Sequence, residues 1–456
     1  MPFRTGAATI SRELAVKILN EVDKGLYAET TLSQLLSKNA ISDKDRSLTT
    51  EIVYGTVRWK DRLDSIIDRQ LTRKGKRLDP EIRNILRIAI YQILFLTRIP
   101  AYSITHQAVA QAKNRFKGRF SGLVNAVLRS ALRNRDDLHH EPEKNSRSLA
   151  IYYSHPKWLV ERWLDRFGEQ VTIDILEFNN QRSNLTLRVN TLKTTISDVI
   201  LSFKQNSIVF EIVDNDLGVL TVRNIRGPVI NMPGFNEGLF TVQDFGSQMI
   251  APLLKAQPNQ LILDVCGAPG GKASHIAALV NNGARITLVD ADIKRLDEAV
   301  RNFERLGVNC VKMIHGDATQ KSFLSSLGKF DRILIDAPCS NLGVLRHNCE
   351  VKYRVRPQDL TKLAEQQLIM LTEASQAVKN DGMIVYCVCS TSEEETTSVV
   401  QKFLACNRNF SVDKIDHSEI PNPEFLNTEG HFCSFPSNKS SFVDGFFAAR
   451  IKKYRP

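Results

Sequence analysis

From residue 10 to residue 133 the apolar positions recur at helical spacing throughout. Ile10, Leu14, Ile18, Leu19 and Val22 fall three to four apart and share one face. Asp79-Pro80-Glu81 reads as a helix start, with Asp as the cap, Pro at the first helical position and an acid in the first turn. Ile82, Ile85, Leu86, Ala89, Ile90, Ile93 and Leu94 then make a wide apolar face that ends before Pro100. Further helices are expected from Ser103 and over 123–132, with basic turns at Lys74-Gly75-Lys76 and Lys117-Gly118-Arg119. The stretch 134–148 is polar and short of apolar residues, and reads as a linker.

The pattern then changes twice. Over about 150–240 an aromatic helix (158–167) is followed by β-like runs at 185–189, 208–213 and 218–222. From Thr241 onward short apolar runs alternate with amphipathic segments, the mark of a parallel doubly wound sheet. Strands are expected at 261–265, 285–290, 311–315, 332–336, 383–387, 410–415 and 442–451. Helices are expected at 272–280, 293–306 and 359–379, with a bulge at Asp444-Gly445 in the last strand. The fold class is therefore multidomain: an all-α N-terminal domain, a small α+β segment and an α/β doubly wound, Rossmann-like domain. The boundaries read as 1–134, a linker over 135–149, then 150–240 and 241–456.

Composition narrows the class. At 42% hydrophobic and 24% charged, the 456 residues are ordinary for a globular protein, and the length calls for two or three domains. The first ten residues lack an apolar core, so no signal peptide is expected. The most apolar stretch, 88–96, is far short of the roughly 20 residues that span a bilayer. A cytoplasmic protein without membrane contact is expected, its eight cysteines reduced. No CxxC and no Cys/His cluster has zinc spacing, so no metal is expected. The net charge of +11 is uneven: residues 1–140 hold 25 Lys and Arg against 14 Asp and Glu, and the rest holds 36 of each. That asymmetry suggests a polyanionic partner for the helical third, although a solvated basic surface would look the same.

Leu261-Ile-Leu-Asp-Val-Cys266-Gly-Ala-Pro-Gly-Gly-Lys272 is a buried strand entering a glycine-rich turn and a helix. It lacks the residues of a Walker A loop and of a dinucleotide fingerprint, so a phosphate ligand is not implied. Asp290, Asp317 and Asp336 end the next three strands. Acids in that register suit ribose hydroxyls, an adenine amino group and a cationic sulfonium, as in S-adenosyl-L-methionine; each acid alone could merely cap a turn. The cofactor-binding set is then Cys266, Gly267, Ala268, Pro269, Gly270, Gly271, Lys272, Asp290, Asp317 and Asp336.

Two of the strands carry thiols at their ends. Cys339 follows Asp336-Ala-Pro, and Cys389 follows the strand ending at Cys387. A thiolate adding to carbon 6 of cytosine turns carbon 5 into a nucleophile, which a methyltransferase needs. An acid such as Asp336 would hold the base. Ser392-Glu-Glu-Glu395 reads as a capping box, and a helix starting there would favour the Cys389 thiolate, helped by Lys272. Cys387 is expected to be buried and inert, facing away from Cys389. Cys310, Cys349, Cys406 and Cys433 stand in no motif.

These residues resemble the bacterial small-subunit (16S) rRNA cytosine-C5 methyltransferases of the Sun/Fmu (RsmB-like) family, over nearly the whole chain. Ser121-Gly-Leu-Val-Asn-Ala-Val-Leu-Arg129 is similar to the family's NusB-like helical RNA-binding domain. Arg188-Val-Asn-Thr-Leu-Lys193 and Val242-Gln-Asp244 are similar to its lead-in segment. The resemblance implies Cys389 as nucleophile, Cys339 in product release, S-adenosyl-L-methionine as methyl donor, 16S rRNA as partner, and a cytosine-967-type target. A monomer is expected. Two positions depart from the pattern, Gly267 for Ala and Val388 for Thr. A DNA-type enzyme would instead use Cys339 as nucleophile. A tRNA target, a non-catalytic RNA-binding factor and a small-molecule methyltransferase are the other readings; the last needs neither thiol nor basic domain.

Overall fold

In the computed structural model, residues 9–71, 78–134, 141–223, 227–436 and 443–455 are described. The basic turn at 74–76, residues 135–140 of the linker stretch and Phe442 lie outside them. The described residues fall into two compact units, one within Met1–Asn180 plus Lys352–Arg354, the other within Gln181–Val351 plus Val355–Pro456.

The first unit is all helix: α1 (Ile10–Asp23), α2 (Ala28–Lys38), α3 (Asp43–Arg58), α4 (Lys60–Gln70), α5 (Pro80–Phe95), α6 (Ala101–Arg115), α7 (Ser121–Arg133), α8 (Ser146–Tyr152) and α9 (Lys157–Asn180). α5 is the central helix. Every residue from Ile82 to Leu94 except Arg83 is buried, and α1, α3, α4, α6 and α7 pack around it. Its start is as expected: Asp79 Oδ1 accepts from the Glu81 and Ile82 amides, with Pro80 at the first position. The part of the linker stretch from Ser146 is helical, because Asn145 caps α8 by accepting from the Ser148 amide. The aromatic helix ends at Gly168, whose φ of 75° and ψ of 179° break α9, and the chain then resumes helix to Asn180.

The second unit holds two sheets. β1 (Leu185–Val189), β2 (Val209–Asp214), β3 (Val219–Arg223) and β4 (Phe240–Val242) form an antiparallel sheet in the order β2-β3-β1-β4. α10 (Ile196–Gln205) packs on it through Val199 and Phe203. Short helices α11 (Phe245–Gln248) and α12 (Ile250–Leu253) lead to the large sheet. There β5 (Leu261–Val265), β6 (Arg285–Asp290), β7 (Val311–His315), β8 (Phe330–Asp336) and β9 (Val378–Val388) run parallel, joined through α13 (Gly271–Leu279), α14 (Ile293–Leu306), α15 (Phe323–Ser326), α16 (Val351–Arg354) and α17 (Pro357–Ala377). After α18 (Thr397–Cys406), β10 (Phe410–Val412), β11 (Phe432–Cys433) and β12 (Phe447–Lys453) close one edge, β12 antiparallel to β9.

The order β10-β12-β9-β8-β5-β6-β7 reverses direction at β5, so ligands are expected beyond the carboxyl ends of β5 and β8. Asp444-Gly445 is not a bulge within the last strand; it lies in the loop before β12, where the Gly445 amide donates to Gly343 O (2.7 Å). Among the described residues no helix is long and apolar enough to cross a membrane.

Candidate active site

The glycine-rich loop after β5 is held from several directions. The Gly267 amide donates to Val289 O (3.2 Å) and the Ala268 amide to Asp290 Oδ2 (3.1 Å). Arg295 donates to Ala268 O, and Asn302 Nδ2 donates to Pro269 O (3.1 Å). Cys266 (φ 59°) and Gly270 (φ 89°) take left-handed backbone, and a Cβ on Gly270 would stand 2.6 Å from the Phe303 ring. Buried Arg188 on β1 donates to Gly271 O (2.9 Å) and Ser274 Oγ (2.9 Å) at the start of α13, and burial lowers its pKa to about 9. The role of Arg188 was visible in the sequence only as part of a family motif.

The loop borders a cavity of about 500 Å³ lined by Cys266, Asp290, Ile293, Asp317, Pro338 and Met370, among others. Asp290 Oδ1 accepts from the Asp292 amide (3.0 Å), and Asp317 Oδ1 from the Thr319 amide and hydroxyl (2.8 and 2.7 Å). Burial pushes the Cys266 thiol up to about 12. Asp336 does not line this cavity. It accepts from Lys272 Nζ at 2.6 Å, on the side of the sheet that α13 covers. Burial would lower the Lys272 pKa, but the Asp336 charge outweighs it and the ammonium is retained.

Sequence reasoning passed over Asp264. It is fully buried under the loop, neither carboxylate oxygen has a partner among the described residues, and burial raises its pKa to about 8. Its carboxyl carbon sits 2.5 Å from where a Cβ on Gly267 would be. A side chain at Gly267 would have to displace that carboxyl.

β8 and β9 bring the two expected thiols together. Cys339 Sγ and Cys389 Sγ are 3.2 Å apart, and the Cys389 thiol donates to Asn341 Oδ1 (2.8 Å). Asn341 has φ 58°, a backbone that Asn tolerates better than most residues. The Cys389 thiol is raised well above its usual range, first by its hydrogen bond with Cys339 and then by burial. The expected thiolate-favouring helix is absent: Glu393–Glu395 form only a 3-10 turn, and the Ser392 side chain makes no cap hydrogen bond.

Glu395 is used differently. Its carboxylate accepts from the Ser340 amide (2.8 Å) and hydroxyl (2.5 Å), from the Ser390 hydroxyl (2.5 Å) and from Gln367 Nε2 (3.2 Å). It therefore ties together the residues that follow each thiol. A second correction concerns Cys387. It is buried, as expected, but residues two apart on a strand share a face. Cys387 packs in the same cluster that Cys389 borders, while Val388 packs in the other. Its thiol lies 3.5 Å from Asp336 Oδ1 and is raised well above its usual range by burial and that charge.

Behind Cys389, the Gly343 amide donates to Cys389 O (3.1 Å), and no side chain fits at Gly343 because a Cβ would meet Gly445 O at 1.9 Å. His347, on the same loop, lies 2.6 Å from Asp444 Oδ2 and 3.7 Å from Asp244 Oδ2. Burial would lower its pKa, but the two carboxylates raise it to about 9. Among the described residues these three are the one group with metal-like spacing, all ligand atoms lying within 4.8 Å. Arg346, 3.1 Å from Asp444 Oδ2, and the imidazolium already balance the two acids.

Residues 251–452 match the model of the 16S rRNA methyltransferase RsmB/F, residues 9–133 that of the NusB family, and residues 155–219 that of the RsmF/B-like ferredoxin-like domain. A probable ribosomal RNA small subunit methyltransferase B of Synechocystis is 31% identical over 97% of this chain and 99% of that protein. The chain belongs to the 16S rRNA methyltransferase RsmB/F family. A second member, from Bacillus subtilis, is 32% identical over 93% of this chain and 98% of its own. The crystal structure of PH0851 shares the fold of this RsmB/F-family chain at TM-score 0.78 and 24% identity, covering 98% and 100% of the two chains. The all-helical N-terminal unit and the Rossmann-like methyltransferase sheet are those of the family, and the chain is an RNA methyltransferase of this RsmB/F type.

Proposed function

We propose that this protein methylates carbon 5 of one cytosine in 16S rRNA, at the cytosine-967-type site, through a covalent bond from Cys389 to carbon 6 of the base. The observation that carries the reading is the pair of sulfurs 3.2 Å apart, on adjacent strand ends beside the Lys272–Asp336 ion pair. The relatives' names, small-subunit methyltransferase, favour rRNA over tRNA. Residues 1–134 and 150–240 are assigned to RNA, and 241–456, after the 135–149 linker, to chemistry; work on rRNA would be cytoplasmic.

The residues present fit S-adenosyl-L-methionine. Asp264, buried and without a partner beside the glycine loop, can take an ammonium group, and Asp290 and Asp317 can take hydroxyl and amino groups in an otherwise largely apolar cavity. Bound there, S-adenosyl-L-methionine supplies an electrophilic methyl on a sulfonium.

The protein's own steps then follow. The Cys389 proton passes to solvent water, its sulfur bonds to carbon 6, and the electron pair of the 5,6 double bond becomes available at carbon 5. Asp336, held by Lys272, accepts from the exocyclic amine and so orients the ring. Once carbon 5 carries the methyl, its proton goes to a base. The sulfur–carbon bond then breaks, and its electrons return to Cys389. Cys339, in contact with that sulfur, assists release. Because the target carbon must reach half-buried sulfurs, the base has to be unpaired or flipped out.

The test is a pair of variants with radiolabelled donor and 16S rRNA. Cys389→Ala is expected to abolish transfer, and Cys339→Ala to accumulate RNA covalently joined to the protein on a denaturing gel. Transfer by Cys389→Ala at near wild-type rate would sink the assignment; an adduct surviving in Cys389→Ala and lost in Cys339→Ala would move the nucleophile to Cys339. A titration with S-adenosyl-L-methionine separates this reading from a non-catalytic RNA-binding factor, which should show no heat of binding.

A further inference from the structure

Between Glu81 and Asp136 the chain contains ten Lys and Arg and no acidic residue. Three of the ten, Arg83, Arg87 and Arg115, are consumed in ion pairs with acids of α1, α4 and the start of α5. Arg98, Lys113, Lys117, Arg119, Arg129 and Arg133 are exposed and, among the described residues, have no acidic partner. One of these cations, Arg129, lines a groove of about 640 Å³ between α6 and α7, and Lys113 continues the α6 stripe that borders it.

The groove is built by helical spacing. On α6, Tyr102, His106, Val109 and Lys113 recur at four, three and four residues, a single stripe about 17 Å long at 1.5 Å per residue. On α7, Gly122, Asn125 and Arg129 form the facing stripe. Tyr102 is 78% exposed, which leaves an aromatic ring in water with its faces uncovered. Among the described residues, the side-chain polar groups of Tyr102, His106, Asn125 and Arg129 have no hydrogen-bond partner. Gly122 has nothing within 4 Å of where its Cβ would be, so the floor of the groove is open there.

An uncovered ring, an unpartnered amide and guanidinium, and a rim of unpaired cations suit an unstacked nucleotide. The base can stack on the ring, its edge can meet the amide, and its phosphates can run along the cations. We infer that the α6–α7 groove is a second RNA site, separate from the cytosine pocket, which seats a short unpaired segment of the substrate by stacking a base on Tyr102. This rests on the reading of the protein as an RNA methyltransferase and adds to it where, and by what chemistry, the helical unit grips the strand. An acidic protein segment would use the cations but would leave the exposed ring and the amide without a role.

The test uses the full-length protein, a fluorescent 12-nucleotide single-stranded RNA of mixed sequence, and an abasic ribose-phosphate strand of the same length. Tyr102→Ala is expected to weaken binding of the base-bearing RNA roughly 5- to 100-fold, the range of one lost base–aromatic stack, and to leave abasic binding unchanged. Tyr102→Phe should keep the affinity. Arg129→Gln should reduce the slope of log affinity against log salt by about 1. Gly122→Leu removes no contact and suits a helix, so it fills the groove without threatening the fold, and it should weaken the same RNA. Wild-type affinity in both Tyr102→Ala and Gly122→Leu would overturn the inference, as would no binding by the wild type, or competition by polyglutamate equal to that by RNA. Methyl transfer measured on the same preparations tests the reading on which it rests: transfer that persists with a silent groove sinks only the groove, whereas loss of transfer in Cys389→Ala with the groove intact leaves both standing.

Discussion

Glu395 shows how one side chain can govern two others without touching either sulfur. A buried carboxylate that accepts four hydrogen bonds, three of them from the residues after Cys339 and Cys389, fixes the distance between strand ends that would otherwise be free loops. Hydrogen bonds to a charged acceptor contribute about 1.5–3 kcal/mol each. Glu395→Gln keeps the shape but turns one oxygen into a donor facing donors. It is expected to lower stability by about 2 kcal/mol in urea unfolding and to slow covalent trapping on RNA containing 5-fluorocytosine by tenfold or more. Trapping at the wild-type rate would mean that the thiol spacing does not depend on this carboxylate. In the sequence Glu395 is one of three consecutive acids, and local spacing offered a cap as its role; the serines that claim it lie 5 and 55 residues away.

At the scale of elements, the short parallel strands were legible from their apolar runs. β5, β6 and β7 begin and end where those runs predict, although β5 is almost wholly buried and β7, at the sheet edge, is not. β9 runs five residues further back, to Val378, which pairs with Phe330; Lys379, Asn380 and Asp381 fall in a register shift before Met383 pairs with Arg332, so no apolar alternation marks them. The last strand was misplaced for the opposite reason: Asp444 is taken up by His347 and Arg346, so the chain cannot pair until Phe447.

The His347 contact joins three loops, and its charge has a pH signature. The groups facing the imidazole are Asp244, Asp444 and Arg346. Below its ordinary value of 6.5 the ring is protonated in folded and unfolded chain alike, so the stabilisation is complete. As pH rises through about 9 the folded protein loses the proton and the stabilisation with it. Thermal unfolding should therefore show the wild-type melting temperature falling from pH 7 to pH 10, and His347→Gln, already lower at pH 7, should change less over that range. Parallel curves for the two proteins would show that the imidazole is not charged in the folded state.

For the molecule as a whole, the sequence places its charge excess in an all-helical region and its doubly wound pattern after it, and the described residues fold in that order. What pattern could not foretell is which long-range hydrogen bonds stitch the small antiparallel sheet to the glycine-rich loop. Arg188 reaches Gly271 O and Ser274, Asn190 Nδ2 donates to Leu306 O (2.8 Å), and Lys193 Nζ to Arg305 O (2.7 Å), so β1 and the turn after it hold the first turn of α13 and the last of α14. A fragment starting at residue 241 is expected to lose heat of binding to S-adenosyl-L-methionine, while one starting at 181 retains it; equal titrations would make those bonds dispensable. On the proposed reading, the smallest piece of this chain that could be grafted onto another RNA-binding protein as a working catalyst has to bring the small sheet along, since the hand that steadies the glycine-rich loop belongs to it.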